Sequence, residues 1–106
     1  MVNITSTQEL QKILSENNPQ YVLLDVRIPA EFKDGHIESA VNFDISHPAV
    51  VKKIEQLETS KTYIVYCLSG GRSQMASLIM NQKGLNVMNC TFGFMDLNRS
   101  QIKTTK

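Results

Sequence analysis

The chain is short of almost everything that would mark a specialised class of protein. Cysteine occurs twice, at Cys67 and Cys90, and histidine twice, at His36 and His47. These four lack the clustered spacing a metal ion requires, so neither a metal nor any other cofactor is expected. Charge of either sign is not in excess: the formal net charge is +1. That balance gives no reason to expect a nucleic-acid or a membrane surface. Long apolar runs are missing too, since no stretch approaches the roughly 20 residues of a membrane span. Residues 1–6 have neither the basic start nor the apolar core of a secretory signal. A cytoplasmic protein is the expectation, and in that reducing compartment two cysteines stay unpaired.

What remains is an ordinary globular chain. Its 106 residues suit one domain, 1–106, able to bury about two thirds of its unfolded surface without staples. No repeat, linker or low-complexity run divides it. Residues 101–106 are polar and are expected to fray.

Taken in order, Ile4 begins a short strand, and Ser6 with Glu9 three residues later forms a capping box that opens a helix to about Glu16. Leu10, Ile13 and Leu14 make its apolar stripe. Residues 21–25 are nearly all apolar, as befits a strand covered on both faces. Pro29 suits a first helical position and Gly35 ends that short segment. Residues 40–42 read as another strand. Ser46, His47 and Pro48 start a helix expected to turn Val50, Val51, Ile54 and Leu57 inward. Residues 62–66 return to the sheet. A helix introduced by Ser73 runs to about Lys83, with Met75, Ala76, Leu78, Ile79 and Met80 inward and Gly84 as its cap. Residues 86–90 form the last strand, and 92–97 read as a helical turn closing over the sheet. Strands alternating with helices predict an α/β fold of about five mainly parallel strands with helices on both faces.

The most informative stretch is 63–73. A β-favouring run ends at Cys67, a Gly70-Gly71 loop follows, and a helix starts at once. A helix N-terminus presents unpaired N–H groups and partial positive charge. A free thiol, near 8.5, is only about 3% thiolate at pH 7, and such surroundings raise that fraction. The glycines let successive N–H groups turn inward as an anion nest, and Arg72 adds a fixed charge. A cysteine after an apolar strand is more often a small buried hydrophobe. A packing cysteine, however, requires no Gly-Gly turn, no arginine five residues on and no helix aimed at it. Asp25 and Cys67 both fall at carboxyl ends of strands, where open α/β sheets bind ligands, so they are expected to converge.

These residues fit a known pattern: Asp25, Val26 and Arg27 with Pro29, Glu31 and Phe32; Gly35, His36 and Ile37; Ala40 and Asn42; then Cys67 with Gly70, Arg72 and Ser73. In order and spacing the chain resembles a single-domain rhodanese, a sulfurtransferase, over about residues 20–97. The resemblance implies a rhodanese-like sheet of five parallel strands and a ping-pong reaction, thiosulfate:cyanide sulfurtransferase activity included. Cys67 would take the outer sulfur of thiosulfate or a persulfide and pass it to a thiol or cyanide, with a protein donor or acceptor also admitted. The family usually carries two glycines followed by a tryptophan four positions after the second; here Phe92 replaces the first glycine and Leu97 stands where the tryptophan would be.

Leu68, Ser69, Gly70, Gly71 and Arg72 are the expected substrate-binding amides, with a hydroxyl from Ser69 or Ser73; Ser73 could instead only cap the helix. Arg72 is assigned to anion binding. Asp25 and Arg27 read as support for the site, Asp25 accepting hydrogen bonds from loop backbone or from Arg27, because a free carboxylate near Cys67 would raise the thiol. His36, placed before Ile37 at the end of the short helical segment, reads as structural, Glu31 and Phe32 as surface, Met75 and Met80 as core, and Cys90 as packing. A persulfide-carrying or protein-binding module with little turnover is the alternative function. Phosphatases and arsenate reductases place five residues between cysteine and arginine; the four here leave less room for a tetrahedral oxyanion, so that third reading is disfavoured.

Overall fold

The computed structural model describes the backbone of residues 1–106 and every side chain except those at 98 and 99. The two near-continuous apolar runs become central strands, β2 (Tyr21–Asp25) and β5 (Thr62–Tyr66). Period-two alternation divides their side chains between two cores: Leu24, Tyr63 and Val65 face one, Leu23, Ile64 and Tyr66 the other. Each fully buried Ile, Leu or Val among them contributes about 1.5–3 kcal/mol relative to exposure.

Around this centre lie β1 (Val2–Ile4), β4 (Val41–Asn42) and β6 (Asn86–Cys90), giving one five-stranded sheet of order β1-β6-β5-β2-β4. All its pairings are parallel. The first core lies under α3 (Val50–Glu55) and α4 (Gly71–Gln82), which contribute Val50, Ile54, Ala76 and Met80. The second takes Leu10 from α1 (Thr7–Ser15), together with Ile37, Leu97 and Ile102. Half of the capping box forms: Ser6 Oγ accepts from Glu9 N at 3.1 Å, while the Glu9 carboxylate reaches past Ser6 and accepts from Thr5 N at 3.0 Å. A short helix, α2 (Pro29–Asp34), follows β2, with Pro29 in its first turn.

Four local expectations are corrected. Helix α4 begins at Gly71, not Ser73, and its buried positions are Ser73, Ala76, Ser77 and Met80, spaced i, i+3, i+4, i+7. Met75 and Leu78 are 61% and 47% exposed. Apolar residues nearly all round this helix obscure its inner face, which is lined by small residues that let it approach the sheet. Val51 likewise points outward, because α3 has only six residues and Val50 with Ile54 already occupy its inner side. His36 and Ile37 form β3 (His36–Ile37), not the end of a helical segment. The partner of β3 is the chain's end, β7 (Thr104–Thr105), paired antiparallel. The tail is therefore held rather than frayed: Ile102 is buried, and Glu38 N donates to Lys103 O at 3.0 Å. One apolar residue in a polar segment carried too little signal to predict that docking. The turn at 92–97 becomes a 3₁₀ helix, Phe94–Arg99.

Candidate active site

Parallel register sets Asp25 level with Tyr66, so the carboxylate end of β2 and the exit of β5 into Cys67 meet at one edge of the sheet. Beyond Cys67 the chain reverses through Ser69 and Gly70 and enters α4. Gly70 has φ +108°, and a Cβ there would stand 2.6 Å from Thr91 O; only glycine suits that position. Gly71 is different. Its φ is not positive, and nothing lies within 4 Å of where its Cβ would be, so the loop's shape does not require the second glycine.

The loop directs amides at the sulfur. Gly70 N donates to Cys67 Sγ at 3.0 Å. The side chain is 1% exposed, and burial by itself pushes the thiol up. Hydrogen bonds from the backbone and hydroxyl of Ser73 and from the backbone N–H groups of Gly70 and Ser69 outweigh burial and hold the thiol below its ordinary value. The buried Ser73 hydroxyl has one proton and several acceptors in reach, Gly70 O at 3.1 Å and Cys90 O at 3.3 Å besides the sulfur. Ser73 is not the helix cap: that position is Gly70, with no side-chain bond.

Behind the loop, Gly93 presses on Leu68: a Cβ at Gly93 would overlap the Leu68 carbonyl. This close approach lets Phe94 N donate to Cys67 O at 2.8 Å and Met95 N to Leu68 O at 3.2 Å. Sequence reasoning assigned Gly93 no role of its own; its place in the Gly-Gly position was the available signal. Phe92 and Leu97, the departures from the family pattern, both pack into the second core.

Asp25 and Arg27 form a buried unit. The Asp25 carboxylate accepts from Arg27 N at 3.0 Å, from Nε at 2.9 and 3.1 Å and from Nη2 at 2.7 Å. Arg27 Nη2 also donates to Gly35 O at 2.6 Å, and the guanidinium lies 4.4 Å from the Phe94 ring centroid. Burial opposes the Arg27 charge, but Asp25 more than compensates and raises it. Of the two partners expected for Asp25, the arginine is the one found, through side chain and backbone both.

Arg72 is not a free cation. Its Nη1 and Nη2 donate to Glu31 Oε1 and Oε2 at 2.6 and 3.0 Å, holding Glu31 below and Arg72 above their ordinary values. Glu31, expected as plain surface, is therefore part of the site's electrostatics. The pair is 41 residues apart in sequence, too far for any local pattern to link. His36 stacks on Phe32 at 3.6 Å, and its Nδ1–H donates to Phe32 O at 2.8 Å. Cys90 is buried, and desolvation, with the Cys67 charge adding, pushes its thiol up to about 12. Cys67 and Cys90 are both unpaired and belong to the two different cores. Among the described residues no group of three or more His, Cys, Asp or Glu side chains is placed to hold a metal ion. No helix among them is long and apolar enough to cross a membrane.

Comparison with known proteins gives a consistent result. The sequence pattern of the Rhodanese family, described as a rhodanese-like domain, matches residues 6–100. A Schizosaccharomyces pombe protein named "Putative thiosulfate sulfurtransferase, mitochondrial" is 38% identical over 87 residues, covering 71% of this chain but only 61% of its own length, less than two thirds. A Bacillus subtilis protein named "Putative sulfurtransferase YtwF" is 30% identical over 90 residues, covering 85% of this chain and 84% of itself. A crystal structure of a rhodanese-related protein from Thermoplasma volcanium superposes with a TM-score of 0.83 at 28% identity, covering 99% of this chain and 98% of that one.

Proposed function

Because this chain belongs to the rhodanese-like family, we propose that it is a sulfurtransferase that carries sulfane sulfur on Cys67. The observation that carries the reading is the tight turn before α4 that brings Gly70 N within 3.0 Å of the buried Cys67 Sγ. Preorganised donors in a water-poor site stabilise an anion without having to reorient during reaction.

In the first half-reaction the Cys67 thiolate attacks the terminal sulfur of the donor. With thiosulfate the S–S bond breaks and sulfite leaves with the bonding pair. With a persulfide, RSSH, the thiolate RS⁻ leaves. Either way Cys67 gains one sulfur, and the same amides, with Gly71 and Leu68 completing the turn, hold the new terminal charge. In the second half-reaction an acceptor thiolate or cyanide attacks that outer sulfur, and the Cys67 thiolate is released. A sulfur atom with so little exposed surface favours donors whose reactive sulfur is terminal and unhindered, as it is in both classes.

Ser73 positions the loop and adds a hydroxyl; Asp25 and Arg27 hold the strand end beneath it. Residues 1–106 act as one domain in this reading, and the cytoplasm, a reducing compartment, supplies thiol acceptors. The test is intact-protein mass spectrometry after incubation with thiosulfate. One added sulfur, removed by cyanide and absent from Cys67→Ser, is the expected result. An unloaded Cys67 with thiosulfate and with a persulfide alike would defeat the proposal.

A further inference from the structure

Among the described residues two guanidinium groups, those of Arg27 and Arg72, each already have a carboxylate. Arg27 is buried against Asp25 through both backbone and side chain. Arg72 lies close enough to Cys67 to feel its charge, but Nη1 and Nη2 are both committed to Glu31. We infer that Glu31 selects the charge class of the sulfur donor, disfavouring the thiosulfate dianion relative to a persulfide carrying one negative charge or none. This rests on the sulfur-transfer reading and adds to it a specificity-determining residue that acts through Arg72.

Glu31 sits in the first turn of α2, which anchors its backbone. The pair is half-exposed, with side chains 39% and 27% accessible. Ion pairs in such positions add little to stability. Their electrostatic consequence is larger: a bidentate carboxylate cancels the charge of Arg72, the only part-exposed guanidinium among the described residues that feels the Cys67 charge. What attraction remains comes from backbone amides, and these match the single charge that appears when a persulfide forms on Cys67. The Glu31 carboxylate that neutralises Arg72 also repels an approaching anion, and the repulsion scales with the donor's charge.

The experiment compares loading of Cys67 by thiosulfate and by cysteine persulfide in the wild type, Glu31→Gln and Glu31→Asp. Glu31→Gln keeps the side chain's shape and frees Arg72. It is expected to raise kcat/KM for thiosulfate by about five- to tenfold, mainly through a lower KM. Loading by cysteine persulfide should change less than about twofold, and Glu31→Asp, which restores the charge, should return most of the wild-type preference. In the wild type, with no variant needed, kcat/KM for thiosulfate should fall only slightly as salt is raised. In Glu31→Gln it should fall steeply. An equal change for both donors, or a steep salt dependence already present in the wild type, overturns the role of Glu31 while leaving sulfur transfer intact. If neither donor loads Cys67 in any of the three proteins, the sulfur-transfer reading is removed, and this one with it.

Discussion

Arg27 reaches from Asp25 to Gly35: Nη2 donates to the Asp25 carboxylate at 2.7 Å and to the Gly35 carbonyl at 2.6 Å. One buried cation thus ties the carboxyl end of β2 to the far end of α2 and holds together the platform from which Glu31 and the cysteine loop face each other.

That unit should be costly to break. Asp25→Asn keeps the volume but leaves the Arg27 charge buried without its counter-ion, and removing one partner of a buried pair typically costs about 3–5 kcal/mol. The midpoint of urea unfolding is expected to fall accordingly. Adding Arg27→Met to the same chain should recover part of the loss, because the orphaned charge is then gone. If Asp25→Asn unfolds where the wild type does, the pair does not support the site.

The two loop glycines should separate cleanly. Gly70→Ala forces φ +108° on a residue with a Cβ and drives that Cβ toward Thr91 O; strain of this kind costs about 1–3 kcal/mol before the clash is added. Gly71→Ala meets no neighbour and stands at the first position of α4, where alanine fits without strain though short of the gain of about 0.5–1 kcal/mol it brings in mid-helix. Thermal melting should therefore show a marked loss for the first and no loss for the second. Equal effects would mean that the loop backbone differs from the one described.

Much of this architecture was legible in the sequence. The runs at 21–25 and 62–66 are apolar because both faces of a parallel sheet are covered, and Ser6 with Glu9 announces α1 because helix ends leave N–H groups to satisfy. Cys67 and its loop were legible for the same reason: strand end, tight turn and helix start are adjacent in the chain. What remained hidden depends on distance or on small side chains. Glu31 and Arg72 meet across 41 positions, and the inner face of α4 is half serine. Neither leaves a periodic trace. The docking of the tail through Ile102 was hidden because one apolar residue among polar ones sets no period.

Cys90 should stay inert in the native protein. Burial pushes its thiol up to about 12, and the thiolate is the reactive form. Treatment of the folded protein with iodoacetamide at pH 8 is expected to label Cys67 alone, with Cys90 reacting only after denaturation. Cys90→Ala should retain sulfur loading; loss of loading with folding preserved would assign Cys90 a chemical part.

Cys67 itself should titrate below an ordinary thiol. Burial raises it, but the Ser73 backbone and hydroxyl, followed by the Gly70 and Ser69 N–H groups, favour the anion and prevail. The pH profile of carboxamidomethylation should therefore have its midpoint below that of the same cysteine in an unfolded control. Ser73→Ala removes the hydroxyl and keeps the N–H, so the midpoint should move upward without reaching that of an unfolded control. The sign of the stability effect follows. A group whose acid form is disfavoured by folding adds stability above its unfolded value, and that contribution is lost as pH falls through the folded value. Cys67→Ser should accordingly flatten the rise in stability on approaching pH 8.5 and leave stability at pH 5 nearly unchanged. A wild-type midpoint at or above that of the unfolded control would mean that the amides around position 67 do not stabilise a thiolate, and one that Ser73→Ala does not shift would mean that its hydroxyl takes no part.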